Sequence, residues 1–300
     1  MKSIERIYDF AVQNKCEALK NVPMSEYTSF KIGGPADIIL MPENAEKMKK
    51  VFAFCKQEEI EPFVLGNGSN LLVSDEGIRG VVIYTGRMTQ IELTGELTIR
   101  CDAGQSLSRL CNFALDNSLA GLEFAFGIPG SVGGAAHMNA GAYGGEMKDV
   151  ILSCTHITPE GEIVQAPAAS LGFSYRRSVY SSNGCLIAYI DIGLIQGCKP
   201  KIKSTMMDII EKRRAKQPLE FPSAGSVFKR PEGYYAGALI EQCGLKGRSV
   251  GGAQLSSKHA GFIVNRGGAT CEDVKKLIEI IKENVYNRFG VILETEIKIV

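Results

Sequence analysis

Residues 127–136, Gly127-Ile128-Pro129-Gly130-Ser131-Val132-Gly133-Gly134-Ala135-Ala136, run on into Asn139-Ala140-Gly141-Ala142-Tyr143-Gly144-Gly145-Glu146. Side chains this small let the main chain lie flat against something large. That neighbour is either a planar cofactor or an adjoining strand packed at close range, and glycine permits both. A second cluster, Leu65-Gly66-Asn67-Gly68-Ser69-Asn70-Leu71, sits between two apolar runs that read as strands. Its glycines let backbone N–H groups converge on an anion, and Ser69 and Asn70 add donors, which suits a pyrophosphate. A tight polar turn accounts for the same residues. Two such regions in one chain favour an elongated ligand with both a pyrophosphate and a ring. Glycine makes up 33 of the 300 residues, against a typical share of about 7%, and much of the surplus lies in these two places.

Several classes fall away. After Gly66-x-Gly68 comes Leu71 where a third glycine would complete the dinucleotide fingerprint, and no Walker A sequence occurs. Gly247-Arg248-Ser249-Val250-Gly251 has the spacing of a hydrolase elbow, but its flanks read as loop rather than strand and helix. Lys+Arg 34 against Asp+Glu 33 leaves a net charge of +1, which argues against a nucleic-acid partner held by bulk charge. No apolar run approaches the ~20 residues of a membrane span, so no membrane partner is expected. Residues 1–20 mix charged with apolar positions and lack a signal-peptide core. None of the nine cysteines forms a CxxC pair, so they read as reduced, mostly buried thiols in a cytoplasm. His137, His156 and His259 sit at no metal-ligand spacing, and no metal site is expected. The chain is read as a cytoplasmic monomer.

Periodicity organises the rest. Ile4, Ile7, Tyr8, Ala11 and Val12 share one helical face, and Met48, Val51, Phe52 and Cys55 share another. With strands expected at 37–41, 62–65 and 71–73, the first segment reads as a β-α-β unit ending near Tyr84. Strands follow at 91–93 and 97–101, then a helix with Leu107, Leu110, Cys111, Ala114 and Leu115 inside, then strands at 150–158 and 186–194. A boundary is expected near Gln196-Gly197-Cys198-Lys199-Pro200, followed by a helix over 206–216 with a basic end. The last segment reads as a short helix at 238–243, a strand at 261–265, a long helix and a final strand over 291–300. The long helix carries Val274, Leu277, Ile278, Ile281 and Val285 on one face.

Three stretches carry polar residues that stand out. Arg176, in Phe173-Ser174-Tyr175-Arg176-Arg177, suits a carboxylate or enolate because it stays charged and binds in bidentate fashion; a solvated surface arginine is the plain reading. Ser226, in Ala224-Gly225-Ser226-Val227-Phe228-Lys229, reads by default as a turn serine. Glu294, Glu296 and Lys298 share one face of the last strand, and periodicity does not choose between the two glutamates.

Taken in order, these stretches closely resemble the UDP-N-acetylenolpyruvoylglucosamine reductase family, flavoenzymes that make UDP-N-acetylmuramate for bacterial peptidoglycan and the cell wall. The matching residues begin with Tyr27-Thr28-Ser29-Phe30-Lys31-Ile32-Gly33-Gly34, the 66–70 loop, Gly121-Leu122-Glu123-Phe124 and the 127–134 and 139–144 stretches. They end with Tyr175-Arg176, Gly225-Ser226-Val227-Phe228-Lys229 and Leu293-Glu294-Thr295-Glu296-Ile297, so they span nearly the whole chain.

The resemblance implies an α+β fold. A two-part FAD-binding region of the vanillyl-alcohol-oxidase (PCMH) type would occupy residues 1–84 and 85–197, and a C-terminal α+β substrate domain residues 198–300. It implies non-covalent FAD, with the pyrophosphate on Gly66, Asn67, Gly68, Ser69 and Asn70. The rest of the cofactor would lie along Gly127, Ile128, Pro129, Gly130, Ser131, Val132, Gly133, Ala140 and Gly141. NADPH would be the reductant and UDP-N-acetylglucosamine enolpyruvate the small-molecule substrate, each taking its turn in one pocket.

In that reaction a hydride adds to the vinyl CH2 and negative charge develops as an enolate, which preorganised donors stabilise. The family match gives that task to Arg176, with Glu296 beside it and Ser226 as proton donor. Glu296 would help an enolate only when protonated or through a hydrogen bond, and burial beside another carboxylate would raise its pKa. A serine hydroxyl is a weak acid and needs a neighbour or water to reprotonate it. Tyr175 and Lys216 match substrate-contacting residues, and the basic run 212–216 with Lys229 and Arg230 suits a diphosphate. Some members insert a loop with a substrate-contacting tyrosine between the arginine and the serine. Here the 49 residues from 177 to 225 read as two strands and one helix, which implies the shorter subtype, with the 233–237 stretch supplying an aromatic. The alternative is an FAD-dependent carbohydrate oxidase on the same scaffold.

Overall fold

Asn44 starts the helix Ala45–Gln57 by accepting a hydrogen bond from the Lys47 N–H at 2.9 Å, which satisfies one of the donors a helix start leaves open. The helix buries Met48, Val51, Phe52 and Cys55, as its spacing predicts. With Ile7 and Ala11 of the helix Lys2–Gln13, these side chains cover Ile38, Leu40, Val81 and Ile83 of a four-stranded sheet. The strand order there is Glu17–Pro23, Pro35–Met41, Ile78–Tyr84, Phe63–Leu65, the last pair parallel.

The computed structural model describes residues 2–300. The chain forms two compact units. The first comprises residues 2–20, Asp37–Asn67 and Gly80–Glu211, and the second Asn21–Ala36, Gly68–Arg79 and Lys212–Val300. Helix and strand are intermixed in both, an α+β fold.

The first unit also holds a five-stranded antiparallel sheet, ordered Ile163–Pro167, Ile151–Ile157, Leu186–Gly193, Thr98–Asp102, Ile91–Gly95. The helices Leu107–Asp116 and Val132–His137 share its core with Ile99, Cys101, Ile190 and Ile192. The expected helix over 206–216 begins earlier, at Lys199. Pro200 falls in its first turn, where a missing N–H leaves no bond unmade, so the last two residues of the stretch expected as a boundary are helical.

In the second unit the sheet order is Ser223–Ser226, Phe262–Asn265, Ala253–Leu255, Ser249–Val250. The long helix Cys271–Phe289 packs beside it, held by a capping box between Thr270 and Asp273 and closed by Gly290 at φ +68°. Asp75 accepts from the Cys271 and Glu272 N–H groups at 2.8 and 3.2 Å, anchoring the 68–79 excursion to that helix start. Val274, Leu277, Ile278, Ile281 and Val285 bury with Phe30, Ile32 and Leu72. Each such side chain contributes about 1.5–3 kcal/mol.

The final strand differs from expectation. Only Lys298–Ile299 forms a ladder, parallel to Leu71–Leu72. Upstream the segment is bonded to 227–229 instead: Glu296 N to Val227 O at 2.7 Å, Lys229 N to Glu294 O at 2.9 Å, with a bridge between Phe228 and Thr295. The chain changes partners midway, so no continuous strand forms. The alternation still holds for buried Leu293 and Ile297, and fails at exposed Ile299.

Candidate active site

In the first unit the two glycine clusters meet. A Cβ on Gly66 would lie 2.3 Å from Ser131 Oγ, so the loop passes the start of 132–137 with no side chain between them. Ser131 Oγ accepts from Gly134 N at 3.2 Å, and the Gly133 N–H donates to Ala103 O at 2.8 Å. Not every glycine here is explained by a ligand. A Cβ on Gly133 would meet Ala103 Cβ at 2.7 Å, and one on Gly141 would meet Gly145 O at 2.8 Å. Those two positions serve close packing in their own right. The loop continues into the second unit, where Gly68 has φ +58° and a Cβ would meet Tyr27 O at 2.2 Å. Within the first unit, the side-chain-free surface between Gly66 and Ser131 has the small-residue chemistry that a flavin dinucleotide needs along its length.

Also in the first unit, Tyr175 and Arg176 form the tip of a tight turn. Ser174 and Arg177 are bonded in both directions, N to O, at 3.0 and 3.2 Å. Arg176 takes φ +56°, a conformation that costs a non-glycine residue about 1–2 kcal/mol and persists where the surroundings hold it. Its guanidinium lies 5.2 Å from the half-exposed Tyr175 ring. Beneath the turn, Asn139 Nδ2 donates to Ser174 O at 3.0 Å and to Glu146 Oε2 at 2.8 Å. The Lys148 ammonium at 3.0 Å, the Asn139 amide and the positive charge of Arg176 hold the Glu146 carboxyl below its ordinary range.

In the second unit Ser226 and Glu296 lie on neighbouring segments, because the Glu296 N–H donates to the carbonyl of Val227. Asn70 Nδ2 donates to Glu296 O at 3.1 Å. The Glu294 carboxylate pairs with Lys229 Nζ at 3.0 Å. The basic run is less uniform than its sequence implies. Lys212, Arg214 and Lys216 are exposed, whereas Arg213 is 5% exposed and its Nη1 donates to Gln217 Oε1 at 3.4 Å. Arg230 stacks over the Tyr235 ring at 4.0 Å, which places an exposed aromatic beside the loop after Lys229.

The remaining candidates resolve simply. Ser249 sits in a hairpin, paired with Gln254, and no helix follows it, so it is no hydrolase elbow. Cys16, Cys55, Cys101, Cys111, Cys154 and Cys271 are buried free thiols, Cys185 and Cys243 are partly buried, and Cys198 is exposed. Asn139 stands at the head of the 139–146 stretch, and its part in the site is visible only in its contacts. The sequence shows only an asparagine before Ala-Gly, a residue that tolerates left-handed backbone, and it takes φ +44°.

Comparison with known proteins agrees with this geometry. The family model for the C-terminal domain of UDP-N-acetylenolpyruvoylglucosamine reductase matches residues 217–300, and one for an FAD binding domain matches residues 36–167. A UDP-N-acetylenolpyruvoylglucosamine reductase of Clostridium novyi (strain NT) is 48% identical over 299 residues, 100% of this chain and 95% of the relative. Another, from Syntrophomonas wolfei, is 45% identical over 98% of each chain. The crystal structure of the UDP-N-acetylenolpyruvylglucosamine reductase from Thermus caldophilus superposes with a TM-score of 0.81 at 36% identity, covering 95% of this chain and 98% of that one.

Proposed function

We infer how the residues divide their work from one premise: the chain belongs to the UDP-N-acetylenolpyruvoylglucosamine reductase family. It is an FAD-dependent oxidoreductase that reduces UDP-N-acetylglucosamine enolpyruvate to UDP-N-acetylmuramate with NADPH, in peptidoglycan precursor synthesis. Full-length identity to such reductases speaks against the carbohydrate-oxidase alternative. FAD, when bound, would supply the redox chemistry by which a hydride from NADPH reaches the vinyl CH2 of the substrate.

The chain's own residues do the rest. Gly66, Asn67, Gly68, Ser69 and Asn70 hold the pyrophosphate of the cofactor, and 127–133 with Ala140 and Gly141 hold the remainder. Arg176, fixed at its turn tip, stabilises the enolate charge that develops on the substrate, an interaction stronger in the transition state than before it. Ser226 Oγ gives its proton to the enolate carbon, and Glu296 supports that transfer by hydrogen bonding. Tyr175, Lys216 and Lys229 bind the substrate. The observation that carries the pairing of proton donor and carboxylate is the Glu296 N to Val227 O bond at 2.7 Å, which sets Glu296 beside the strand that ends at Ser226.

Residues 1–84 and 85–197 are proposed as the two parts of the cofactor region and 198–300 as the substrate domain. No helix among the described residues is long and apolar enough to cross a membrane, and a cytoplasmic monomer is the proposed working form.

Ser226→Ala tests the assignment. NADPH should still reduce the flavin at the wild-type rate, while reoxidation by the enolpyruvyl substrate slows about 10²–10⁴-fold, the usual contribution of a positioned proton donor. Equal loss in both half-reactions would remove Ser226 from that role.

A further inference from the structure

We propose that Asn139 and Ser178 are positioning residues for Arg176, clamping both stems of the turn that carries it. The inference rests on the reading of Arg176 as the enolate-stabilising cation. Asn139 is 1% exposed and every polar function of its side chain is used. Its Nδ2 donates to Ser174 O at 3.0 Å and to Glu146 Oε2 at 2.8 Å, and its Oδ1 accepts from Lys148 N at 2.9 Å. The carbonyl of Ser174 therefore receives two donors, Asn139 Nδ2 and the Arg177 N–H at 3.2 Å. On the exit side, Ser178 is 2% exposed and its hydroxyl donates to His137 O at 2.7 Å. Both stems are thus tied to the same short segment, 137–139.

Two features make this a mount rather than ordinary packing. The tip residue is held in left-handed backbone at φ +56°, which the chain would relax if its stems were free. Asn139 also fixes Glu146, a carboxylate within electrostatic reach of Arg176, so one carboxamide sets both the backbone under the guanidinium and the charge facing it. A displacement of the guanidinium by about 1 Å is enough to cost about 100-fold in rate.

The test is a double-mutant cycle on FAD-loaded full-length protein. Asn139→Asp keeps the shape and the left-handed tolerance of asparagine but removes both donors. It should leave reduction of the flavin by NADPH unchanged, keep the substrate KM within a few-fold, and lower the rate of reoxidation by substrate about 100-fold. In an Arg176→Gln background the same change should add less than about twofold, because the two residues act through one group. If Asn139→Asp subtracts its full effect on top of Arg176→Gln, or slows both half-reactions alike, the positioning role is wrong and Arg176 keeps its own. If Arg176→Gln alone leaves reoxidation at the wild-type rate, the reading of Arg176 fails instead. Should Asn139→Asp not fold, Ser178→Ala removes the other clamp: it should lower the reoxidation rate with KM held, and a wild-type rate would overturn the proposal.

Discussion

The side-chain amide of Asn70 donates to the main-chain carbonyl of Glu296 at 3.1 Å, and the Asn70 carbonyl accepts from Lys298 N at 2.9 Å. One residue of the proposed pyrophosphate loop therefore holds the backbone of the proposed catalytic carboxylate. Asn70→Ala removes a part-buried hydrogen bond worth about 1 kcal/mol. It should weaken FAD retention on gel filtration and lower kcat together. Wild-type retention combined with wild-type kcat would show that the bond does neither job.

Gly66 and Gly68 should fail in different ways when changed to alanine. At Gly66 the obstacle is the end of the Ser131 side chain, which can turn aside, so the fold should survive while the cradle fills and FAD binding weakens. At Gly68 the obstacle is the Tyr27 carbonyl, and the backbone is left-handed, so Gly68→Ala should lose about 1–3 kcal/mol of stability as well. Thermal melts with and without added FAD separate the two outcomes. Equal melts for both variants would contradict the distinction.

Acid should destabilise the chain in two stages. Burial lowers the pKa of His156 and His259 below 6.5, and His259 Nδ1 accepts from Gly261 N at 3.0 Å, so folding favours the neutral form of both rings. Their stabilisation is full above about pH 6.5 and is lost as pH falls below it, because the unfolded rings take up protons first. Burial tends to raise the Asp191 carboxyl, but hydrogen bonds from Arg100 at 2.8 and 3.1 Å, Ser153 at 3.0 Å and Gln165 at 2.9 Å outweigh it and hold the pKa below 3.8. That contribution is complete above 3.8 and disappears as pH falls through the lower, folded value. Melting temperature against pH should drop below 6.5 and again below 4, with Asp191→Asn flattening only the second fall. A flat profile from pH 7 to 5 would count against the histidine part.

Thiol chemistry should follow burial. Desolvation pushes Cys16 up to about 11 and Cys55, Cys111 and Cys154 up to about 12, which leaves almost no thiolate at neutral pH. A chromogenic disulfide should react fastest at exposed Cys198 in the folded protein, and at all nine cysteines in denaturant. Rapid native labelling of Cys55 or Cys111 would contradict the packing described for both cores.

Much of this was legible in the sequence because long apolar faces report their own burial. The helices Ala45–Gln57 and Cys271–Phe289 bury the residues that their spacing picks out. What escaped depends on partners distant in the chain. Phe30, Ile32 and Leu72 join the core of Val274 and Leu277, and nothing local marks the 21–36 and 68–79 excursions as belonging there. The end of the chain alternates like a strand, yet it divides its bonds between 227–229 and 70–72. Periodicity makes Glu294 and Glu296 equivalent, and the pairing of Glu294 with Lys229 is a contact between residues 65 apart that no periodicity reports. The mount beneath Arg176 needs Asn139 to reach Ser174, a contact that no spacing rule contains.

One flavin serves both half-reactions, with the hydride of NADPH delivered to the enolpyruvyl sugar nucleotide. The most direct measurement is an anaerobic titration of the FAD-loaded protein followed by absorbance near the flavin maximum. One equivalent of NADPH should bleach the flavin, and one equivalent of UDP-N-acetylglucosamine enolpyruvate should return the full colour, with UDP-N-acetylmuramate as product. A flavin that NADPH bleaches but that substrate does not reoxidise would contradict this.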